Sequence, residues 1–175
     1  GGGGADRVDY WGGEASIDGG SNSDTLVLRA SGGITGVNLG VASGADQTSG
    51  DTVAVTDFEN VDASILTALQ AVAITGSADV NRLAGGAGAD TIHGAGGDDT
   101  LIGGDGADVV DLWGTEGTVD GGLGTDTLVL KAAATVNLAN ATDQTSGDLG
   151  AVTGFENVDG SGLSAGASLT GTSGV

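Results

Sequence analysis

The chain contains no cysteine, no proline and no methionine in its 175 residues. Without cysteine the fold cannot depend on disulfide bonds, although this absence indicates no cellular compartment. Long apolar runs are missing as well. No run approaches the roughly 18 residues of a transmembrane helix, and no signal peptide is visible at the N-terminus. The sequence therefore predicts neither a disulfide-stapled domain nor a membrane-spanning one.

Aromatic residues are scarce, with two tryptophans, two phenylalanines and one tyrosine. Any core must therefore be thin and built from valine, leucine, isoleucine and alanine. A thin core suits a solenoid, because each turn of a solenoid buries its inner residues against the neighbouring turns. The length of the chain indicates one domain, or two at most.

Positive charge is the third shortage. Four basic residues (Arg7, Arg29, Arg82 and Lys131) face 24 acidic ones, for a formal net charge of −20. Such self-repulsion destabilises a compact chain. The chain is therefore either disordered or neutralised by cations. The same charge argues against nucleic acid and anionic membranes as partners.

Glycine, by contrast, is abundant at 37 residues, without the three-residue period of collagen. Residues 85–111 (GGAGADTIHGAGGDDTLIGGDGADVVD) divide into three nine-residue units close to G-G-x-G-x-D-x-U-x, where U is apolar. The glycine-rich half must turn, because glycine supplies backbone angles that other residues resist. The last three positions predict a short strand with position 8 inward and positions 7 and 9 outward.

The same frame extends well beyond these three units. It continues unbroken as six units over 76–129, and the N-terminus begins it again with three units over 1–27. An apolar residue occupies position 8 in every unit, which favours an ordered chain and hence bound cations. These residues are Val8, Ile17, Leu26, Leu83, Ile92, Leu101, Val110, Val119 and Leu128.

This tandem nonapeptide closely resembles the RTX (repeats-in-toxin) family, the hemolysin-type calcium-binding repeats of secreted bacterial proteins. The resemblance is specific because the units are tandem and in frame, whereas a single GGxGxD would be a weak signal. It implies an all-β fold, a parallel β-roll or β-solenoid in which nonapeptide turns alternate with wider, irregular β-helix rungs. RTX proteins typically leave the cell by type I secretion through a C-terminal signal, which the final residues GTSGV do not resemble.

The chain also carries an internal duplication. Residues 1–28 align without gaps on residues 103–130, and the similarity continues downstream after small changes of length. Two motifs occur once in each copy: DQTSGD at 46–51 and 143–148, and FENVD at 58–62 and 155–159. We therefore expect nearly two copies of a module of about a hundred residues, a spacing typical of large-unit repeats.

The duplication divides one continuous solenoid into four segments. We expect nonads at 1–28, wider rungs at 29–75, six in-frame nonads at 76–130, and wider rungs at 131–175 that end at the start of another nonad. Short apolar runs between turn residues indicate strands in the wider rungs. Residues 63–70 (ASILTALQ) could form one or two turns of helix.

The resemblance also implies how calcium is bound. Two nonads make one turn, so each unit stacks on the unit two places later, at a strand spacing of about 4.8 Å. Calcium takes about six to eight oxygen ligands from carboxylates and carbonyls. Each site would use the position-6 aspartates of two stacked turns, together with backbone carbonyls from positions 1 to 4.

Carried onto this sequence, the pattern predicts a stack of Asp90, Asp108 and Asp126. One site would lie between Asp90 and Asp108, and a second between Asp108 and Asp126. The N-terminal nonads predict a further site between Asp6 and Asp24. These carboxylates could instead cap their turns without a metal, but the tandem frame and the net charge favour calcium.

On the opposite side of the roll, Asn81 is expected to stack on Asp99. That site should be weaker, because a neutral amide replaces one carboxylate. Two units depart from the pattern at position 6, where Ala15 and Gly117 provide no carboxylate. The predicted carbonyl ligands are those of Gly85, Ala87, Gly103, Gly104, Asp105, Gly106, Gly122 and Gly124.

Other polar and aromatic residues are interpreted more simply. Trp11 and Trp113 are expected to cover an edge of the core, although exposed aromatics can also stack on sugars. His93, the only histidine, is expected on the solvated surface. The DQTSGD motif is interpreted as a polar turn, with a further ion as the alternative. The acidic residues at position 9 are expected to be solvated: Asp9, Asp18, Asp111 and Asp120.

The function indicated is that of an extracellular, calcium-stabilised structural module in a surface layer, matrix fibre or adhesin. Neither end of the sequence shows a polar cap, so we expect further repeats or copies of the chain to stack end to end. The alternative is the secretion and folding module of a secreted enzyme such as a protease or lipase. No nucleophile elbow is present, and we expect no active site within these residues.

Overall fold

The computed structural model describes residues 1–30, 32–163 and 166–171, which form 21 short β-strands and no helix. The start of another nonad, expected at the end of the sequence, lies outside the described residues. No helix able to cross a membrane occurs in the described part of the chain. In chain order the strands are Gly2–Gly3 (β1), Arg7–Tyr10 (β2), Ser16–Asp18 (β3), Gly20–Ser21 (β4), Thr25–Leu28 (β5), Gly36–Asn38 (β6), Thr48–Ser49 (β7), Ala54–Thr56 (β8), Asn60–Asp62 (β9), Ala73–Thr75 (β10), Arg82–Ala84 (β11), Thr91–His93 (β12), Thr100–Gly106 (β13), Val109–Leu112 (β14), Thr118–Gly124 (β15), Thr127–Leu130 (β16), Thr135–Asn137 (β17), Thr145–Ser146 (β18), Ala151–Thr153 (β19), Asn157–Asp159 (β20) and Ser168–Thr170 (β21).

Two seven-stranded sheets form the body of the molecule. The first sheet has the order β2-β5-β9-β11-β13-β15-β19, and the second has the order β7-β6-β10-β12-β14-β16-β20. All neighbours within them are parallel except β6 and β7. The chain alternates between the two sheets as it winds, which is the arrangement of a parallel β-roll. The predicted all-β solenoid is therefore confirmed.

The register shows that two nonads make one turn, as predicted. Ile92 in β12 lies opposite Val110 in β14, and Val110 lies opposite Leu128 in β16, at steps of 18 residues. The steps are longer where the wider rungs intervene. Leu26 pairs with Val61 across such a rung in the first sheet. The parallel ladder thus continues through both kinds of rung.

Position 8 of the nonads forms the centre of the core. Alternation along each three-residue strand places this residue between the sheets and its neighbours toward solvent. Val8 is half-buried, and the other eight residues at this position are buried: Ile17, Leu26, Leu83, Ile92, Leu101, Val110, Val119 and Leu128. The wider rungs add larger side chains to the same core, chiefly Phe58 and Phe155.

The wider rungs contain two features that the sequence did not predict. One is an antiparallel hairpin in each module, β6 with β7 and β17 with β18. The other is a clamp between the two repeated motifs. The Gln47 side chain donates to the carbonyl of Phe58 at 2.8 Å and accepts from its N–H at 2.9 Å. Gln144 holds Phe155 at the same two distances.

The DQTSGD motif is therefore a turn that presents its glutamine to FENVD. The Asp46 side chain closes the turn by accepting from the backbone N–H groups of Thr48 and Val55, both at 3.1 Å. In the second module, Asp143 accepts from Thr145 and Val152 in the same way. These contacts agree with the interpretation of this motif as a polar turn.

Residues 63–70 do not form the helical turns considered from the sequence. They make two separate tight turns, in which Leu66 donates to the Ala63 carbonyl and Gln70 to the Thr67 carbonyl, each at 2.9 Å. Leu66 is buried, whereas Leu69 is 97% exposed. Contacts with the neighbouring rung hold these turns, because the N–H of Ala63 donates to the Ala84 carbonyl at 2.8 Å and the Leu66 carbonyl accepts from the N–H of Ala87 at 3.0 Å.

Three expectations about surface residues were wrong, those for the tryptophans, for Asp111 and for His93. Trp11 and Trp113 are 61% and 46% exposed, because the neighbouring Tyr10 and Leu112 are the residues that fill the core. Asp111, expected to be solvated, is only 4% exposed.

The burial of Asp111 follows from its place in the parallel ladder. Its carboxylate lies 2.5 Å from Nδ1 of His93 on the adjacent strand β12 and 3.2 Å from Nζ of Lys131. His93 is consequently half-buried and paired, not free in solvent as expected. In the first module, the equivalent Asp9 pairs with Arg29 at 2.9 Å.

Removing the glutamine clamp should destabilise the fold. Gln144→Ala leaves the N–H and C=O of the buried Phe155 without partners, and each unsatisfied group costs about 1–3 kcal/mol. We expect Gln144→Ala and Gln47→Ala to lower the free energy of unfolding in urea, measured in saturating calcium, by that amount or more. Gln70→Ala is the control, because Gln70 bonds only within its own turn. Equal stability of all three variants would contradict the clamp.

Candidate metal centre

Position-6 residues of successive turns line up along the two edges of the roll. The turns that lead into the first sheet carry Asp6, Asp24, Asn81 and Asp99, which we call the first-edge stack. The turns that lead into the second sheet carry Asp90, Asp108 and Asp126, the second-edge stack. The residues that the sequence pairs as ligands are thus brought together by the strand register.

A repeated hydrogen bond joins each stack. The backbone N–H of Asp90 donates to Oδ1 of Asp108 at 2.7 Å, and that of Asp108 donates to Oδ1 of Asp126 at 2.8 Å. On the first edge, Asp6 donates to Asp24 in the same way at 2.7 Å. Each of these accepting carboxylates therefore uses Oδ1 to bond the preceding turn of the stack, which leaves Oδ2 for another partner.

The second oxygen of most of these carboxylates has no partner. This atom, Oδ2, is buried and accepts no hydrogen bond from the described residues in Asp6, Asp24, Asp99, Asp108 and Asp126. A buried anionic oxygen without a partner costs several kcal/mol, so native proteins pair such groups or bind cations to them. The orphaned oxygens recur in five turns at the place where the family pattern requires a metal ligand. Asp90 differs, because its two oxygens accept the N–H groups of Val72 at 2.8 Å and Gly86 at 2.6 Å.

Backbone carbonyls face the same places. A Cβ added to Gly85 would lie 2.3 Å from the Gly103 carbonyl oxygen and 2.5 Å from Oδ2 of Asp90. A Cβ on Gly103 would meet the Gly121 carbonyl at 2.3 Å and Oδ2 of Asp108 at 2.6 Å. Only glycine leaves this space open. The space is bounded by one carboxylate and one carbonyl, and oxygen is the donor that calcium prefers.

The other predicted carbonyl ligands lie in the same turns. Gly104 and Gly106 pair with Gly122 and Gly124 between β13 and β15, and all four have positive φ. A Cβ on Gly122 would lie 2.0 Å from the Gly104 carbonyl, and this contact explains why glycine is needed there. Two further predicted residues, Ala87 and Asp105, donate their N–H groups to Leu66 and Gly86.

The electrostatics of the stacks favour a cation. Burial raises the pKa of both Asp99 and Asp108 to about 6, and it also raises the pKa of Asp90 and Asp126. Within the described residues, no three carboxylate or imidazole groups converge on one point. Any metal here must therefore complete its shell with carbonyls, as calcium does and as the predicted ligand set requires.

Asn81 differs from the aspartates of its stack. Its N–H donates to Oδ1 of Asp99 at 2.8 Å, so the predicted pair is brought together. However, its side chain is already satisfied, because Oδ1 accepts from the N–H of Ser77 at 2.7 Å and Nδ2 donates to the Glu59 carbonyl at 2.8 Å. These bonds support the prediction that the Asn81–Asp99 site is the weaker one.

The two irregular units hold their turns with a glutamate. In the unit with Gly117, the fully buried Glu116 accepts from the N–H groups of Trp113, Gly114 and Thr115 at 2.8–3.0 Å. In the unit with Ala15, Glu14 accepts from residues 11–13 at 2.9–3.0 Å. A carboxylate thus occupies these turns too, but the N–H groups of its own turn surround it.

Sequence reasoning missed two members of the stacks, Glu59 and Glu156 of the FENVD motifs. Glu59 receives the N–H of Asp24 at 2.8 Å, and Glu156 receives that of Asp126 at 2.9 Å. Burial raises the pKa of Glu59. The signal was present, because each glutamate stands two residues before an inward valine, as position 6 stands before position 8.

Residues 75–110 match the family model of the RTX calcium-binding nonapeptide repeat in four copies. The family resemblance is thereby confirmed for this segment, which includes Asn81, Asp90, Asp99 and Asp108. RTX nonapeptide repeats bind calcium and are typical of secreted bacterial proteins, so calcium is the metal of these turns. No curated protein and no solved structure gives a significant match to the chain.

The pKa shifts predict opposite effects of pH with and without calcium. An unfolded aspartate titrates near pH 3.9. The pKa of Asp99 and Asp108 is about 6 in the fold. Protonation of these two groups therefore stabilises the calcium-free fold fully below about pH 4, and this stabilisation is lost as the pH rises to 6. Calcium needs the ionised carboxylates and competes with protons.

We therefore expect the calcium concentration at the folding midpoint to rise about tenfold or more from pH 7 to pH 5. In EDTA, acidification from pH 7 to pH 4 should increase β-structure. Circular dichroism at fixed ionic strength measures both. A calcium midpoint that does not change with pH would show that these carboxylates do not hold the ion.

Proposed function

We propose that this chain is a calcium-dependent structural module of an extracellular or cell-surface bacterial protein, such as a surface layer, matrix fibre or adhesin. A calcium-binding repeat module is what the RTX repeats indicate. The observation that carries the proposal is the row of buried, partnerless carboxylate oxygens along both edges of the roll. Such oxygens make the folded state depend on a cation.

This dependence suits export. The free calcium concentration is low in a bacterial cytosol and reaches the millimolar range outside the cell, where extracellular calcium modules bind at about 10⁻⁴–10⁻³ M. With a net charge of −20, the chain should remain expanded where calcium is scarce. Metal binding and folding would then be one event that occurs after secretion.

A structural role is supported by where the polar chemistry of the chain goes. His93, the only histidine, is paired with the buried Asp111. The carboxylates at position 6 are the predicted calcium ligands of the nonapeptide turns. Glu14 and Glu116 accept hydrogen bonds from the N–H groups of their own turns. We propose that the chain has no catalytic activity and that its duplicated modules serve as repeated rigid units.

End-to-end assembly is part of the same proposal. The outer strands of the first sheet, β2 and β19, are parallel strands, and each has one side that pairs with no other described strand. Such a side can accept another strand, and a head-to-tail contact that does not close gives a fibre. We propose that further repeats or copies of the chain stack on these edges.

The proposal predicts a calcium switch between a protease-sensitive and a protease-resistant chain. At about 0.1 µM free calcium a nonspecific protease should cleave throughout, and at about 2 mM the chain should be protected. Asp108→Asn removes the carboxylate shared by two predicted sites and should raise the calcium requirement several-fold. Asp18→Asn neutralises an exposed position-9 carboxylate and should leave that requirement unchanged.

Sedimentation velocity under the same two conditions tests assembly. A compact species that associates at millimolar calcium supports end-to-end stacking, and a compact monomer at all protein concentrations argues against it. Equal protease resistance at both calcium concentrations would overturn the calcium-dependent module itself.

A further inference from the structure

The two aspartate stacks do not stop at the last aspartate before a wider rung. After Asp24, and again after Asp126, the next turn presents the glutamate of a FENVD motif. The N–H of Asp24 donates to Oε2 of Glu59 at 2.8 Å, and the N–H of Asp126 donates to Oε2 of Glu156 at 2.9 Å. Within the nonads, the N–H of Asp90 donates in the same way to Asp108, and that of Asp108 donates to Asp126.

A backbone carbonyl is also in place at both positions. It belongs to the residue two places before the glutamate, Asp57 or Gly154, and both residues have positive φ, 56° and 77°. A Cβ on Gly19 would lie 2.0 Å from the Asp57 carbonyl oxygen, and a Cβ on Gly121 would lie 2.2 Å from that of Gly154. This is the carbonyl-against-glycine contact seen between successive nonads.

The aspartates at these positions are incompletely satisfied. Asp24 and Asp126 are fully buried, and Oδ2 of each has no hydrogen-bond partner among the described residues. Their Oδ1 atoms are already occupied by the N–H groups of Asp6 and Asp108. The described ion pairs of Arg7, Arg29 and Lys131 all go to other carboxylates. Among the described residues, two carboxylates therefore meet here with no ion pair to a basic side chain, and Arg82 has no described ion pair either.

We propose that Asp24 with Glu59, and Asp126 with Glu156, form two additional calcium sites that join the nonad stacks to the wider rungs. The carbonyls of Asp57 and Gly154 would contribute to the same ions. This inference rests on the proposed function, in which the aspartate stacks themselves bind calcium. It extends that function to a motif outside the nonapeptide pattern.

Glutamate takes the place of aspartate where a wider rung, and not a nonad, meets the stack. A nonad aspartate sits on a turn of fixed length, whereas the rung before Glu59 spans most of 29–58. Each glutamate nevertheless accepts the aspartate N–H as a nonad aspartate does. This replacement of aspartate by glutamate occurs twice, once in each module, at equivalent positions of the duplication.

A simpler role for the glutamates would be acceptance of one N–H. Glutamine separates the two roles, because its Oε1 can accept the same hydrogen bond but carries no charge for calcium. The test variants are Glu59→Gln, Glu156→Gln and the double variant. Asp62→Asn and Asp159→Asn are matched controls, because each neutralises the last residue of the same FENVD motif, whose side chain bonds elsewhere.

Calcium is counted by flow dialysis in excess magnesium, which suppresses nonspecific binding to the acidic surface. Circular dichroism in saturating calcium checks that each variant folds. Each single glutamine variant should lose one ion or bind it at least tenfold more weakly, and the double variant should lose two. Both controls should retain the wild-type count. A wild-type count and affinity in Glu59→Gln and Glu156→Gln would overturn the inference.

If a glutamine variant fails to fold, the number of calcium ions bound by the wild-type chain tests the inference instead. The nonads provide four carboxylate or amide pairs, so more than four ions per chain require the glutamate sites, and four or fewer contradict them. The pairs are Asp6 with Asp24, Asn81 with Asp99, Asp90 with Asp108, and Asp108 with Asp126. Binding in wild type with unchanged glutamine variants refutes only this inference, whereas no binding at all refutes the proposed function as well.

Discussion

The fold depends on how it compensates a row of carboxylates in its interior. Oxygens of Asp24, Asp99, Asp108 and Asp126 are buried without hydrogen-bond partners in the described part of the chain, and four basic residues face 24 acidic ones. Desolvated anions of one sign, a strand spacing apart, would drive the turns apart. In the proposed function, bound calcium removes this penalty and bonds adjacent turns to each other. The ion would then contribute to stability as a core residue does.

The backbone is arranged to bring these carboxylates together. The parallel register places position 6 of one turn above position 6 of the next, and an N–H to Oδ1 bond fixes the orientation of each carboxylate. Glycines at positions 1, 2 and 4 allow the carbonyl of one turn to approach the Cα of another. The apolar contribution is only a thin line of valine, leucine and isoleucine. The thin core agrees with the proposal that bound calcium stabilises the fold.

The sequence was sufficient for the repeating part of the molecule. The nonad frame predicted the inward residues such as Leu101 and Val110, and the resemblance to the RTX family implied the parallel roll and the stacking of Asp90, Asp108 and Asp126. These features are local and recur at a fixed step. The same reasoning could not reach contacts across the wider rungs, because their lengths differ. Gln47 meets Phe58, and Asp24 meets Glu59, through loops whose paths no period defines.

The errors have the same origin. The tight turns at residues 63–70 are held by backbone hydrogen bonds to Ala84 and Ala87 of the neighbouring rung, which outweigh local helix propensity. The burial of Asp111 depends on His93, one turn away, and on Lys131. Tertiary contacts determine both the conformation of residues 63–70 and the burial of Asp111, so the local sequence pattern alone predicted them incorrectly.

The most direct test of the account is far-ultraviolet circular dichroism of the chain during a calcium titration, with magnesium as the control. The account predicts little β-structure in EDTA at pH 7, a cooperative gain of β-signal near millimolar calcium, and no comparable gain with magnesium. Full β-structure in EDTA at pH 7 would contradict it. In that case the aspartates would be ordinary turn residues, and the roll would be stable without the ion.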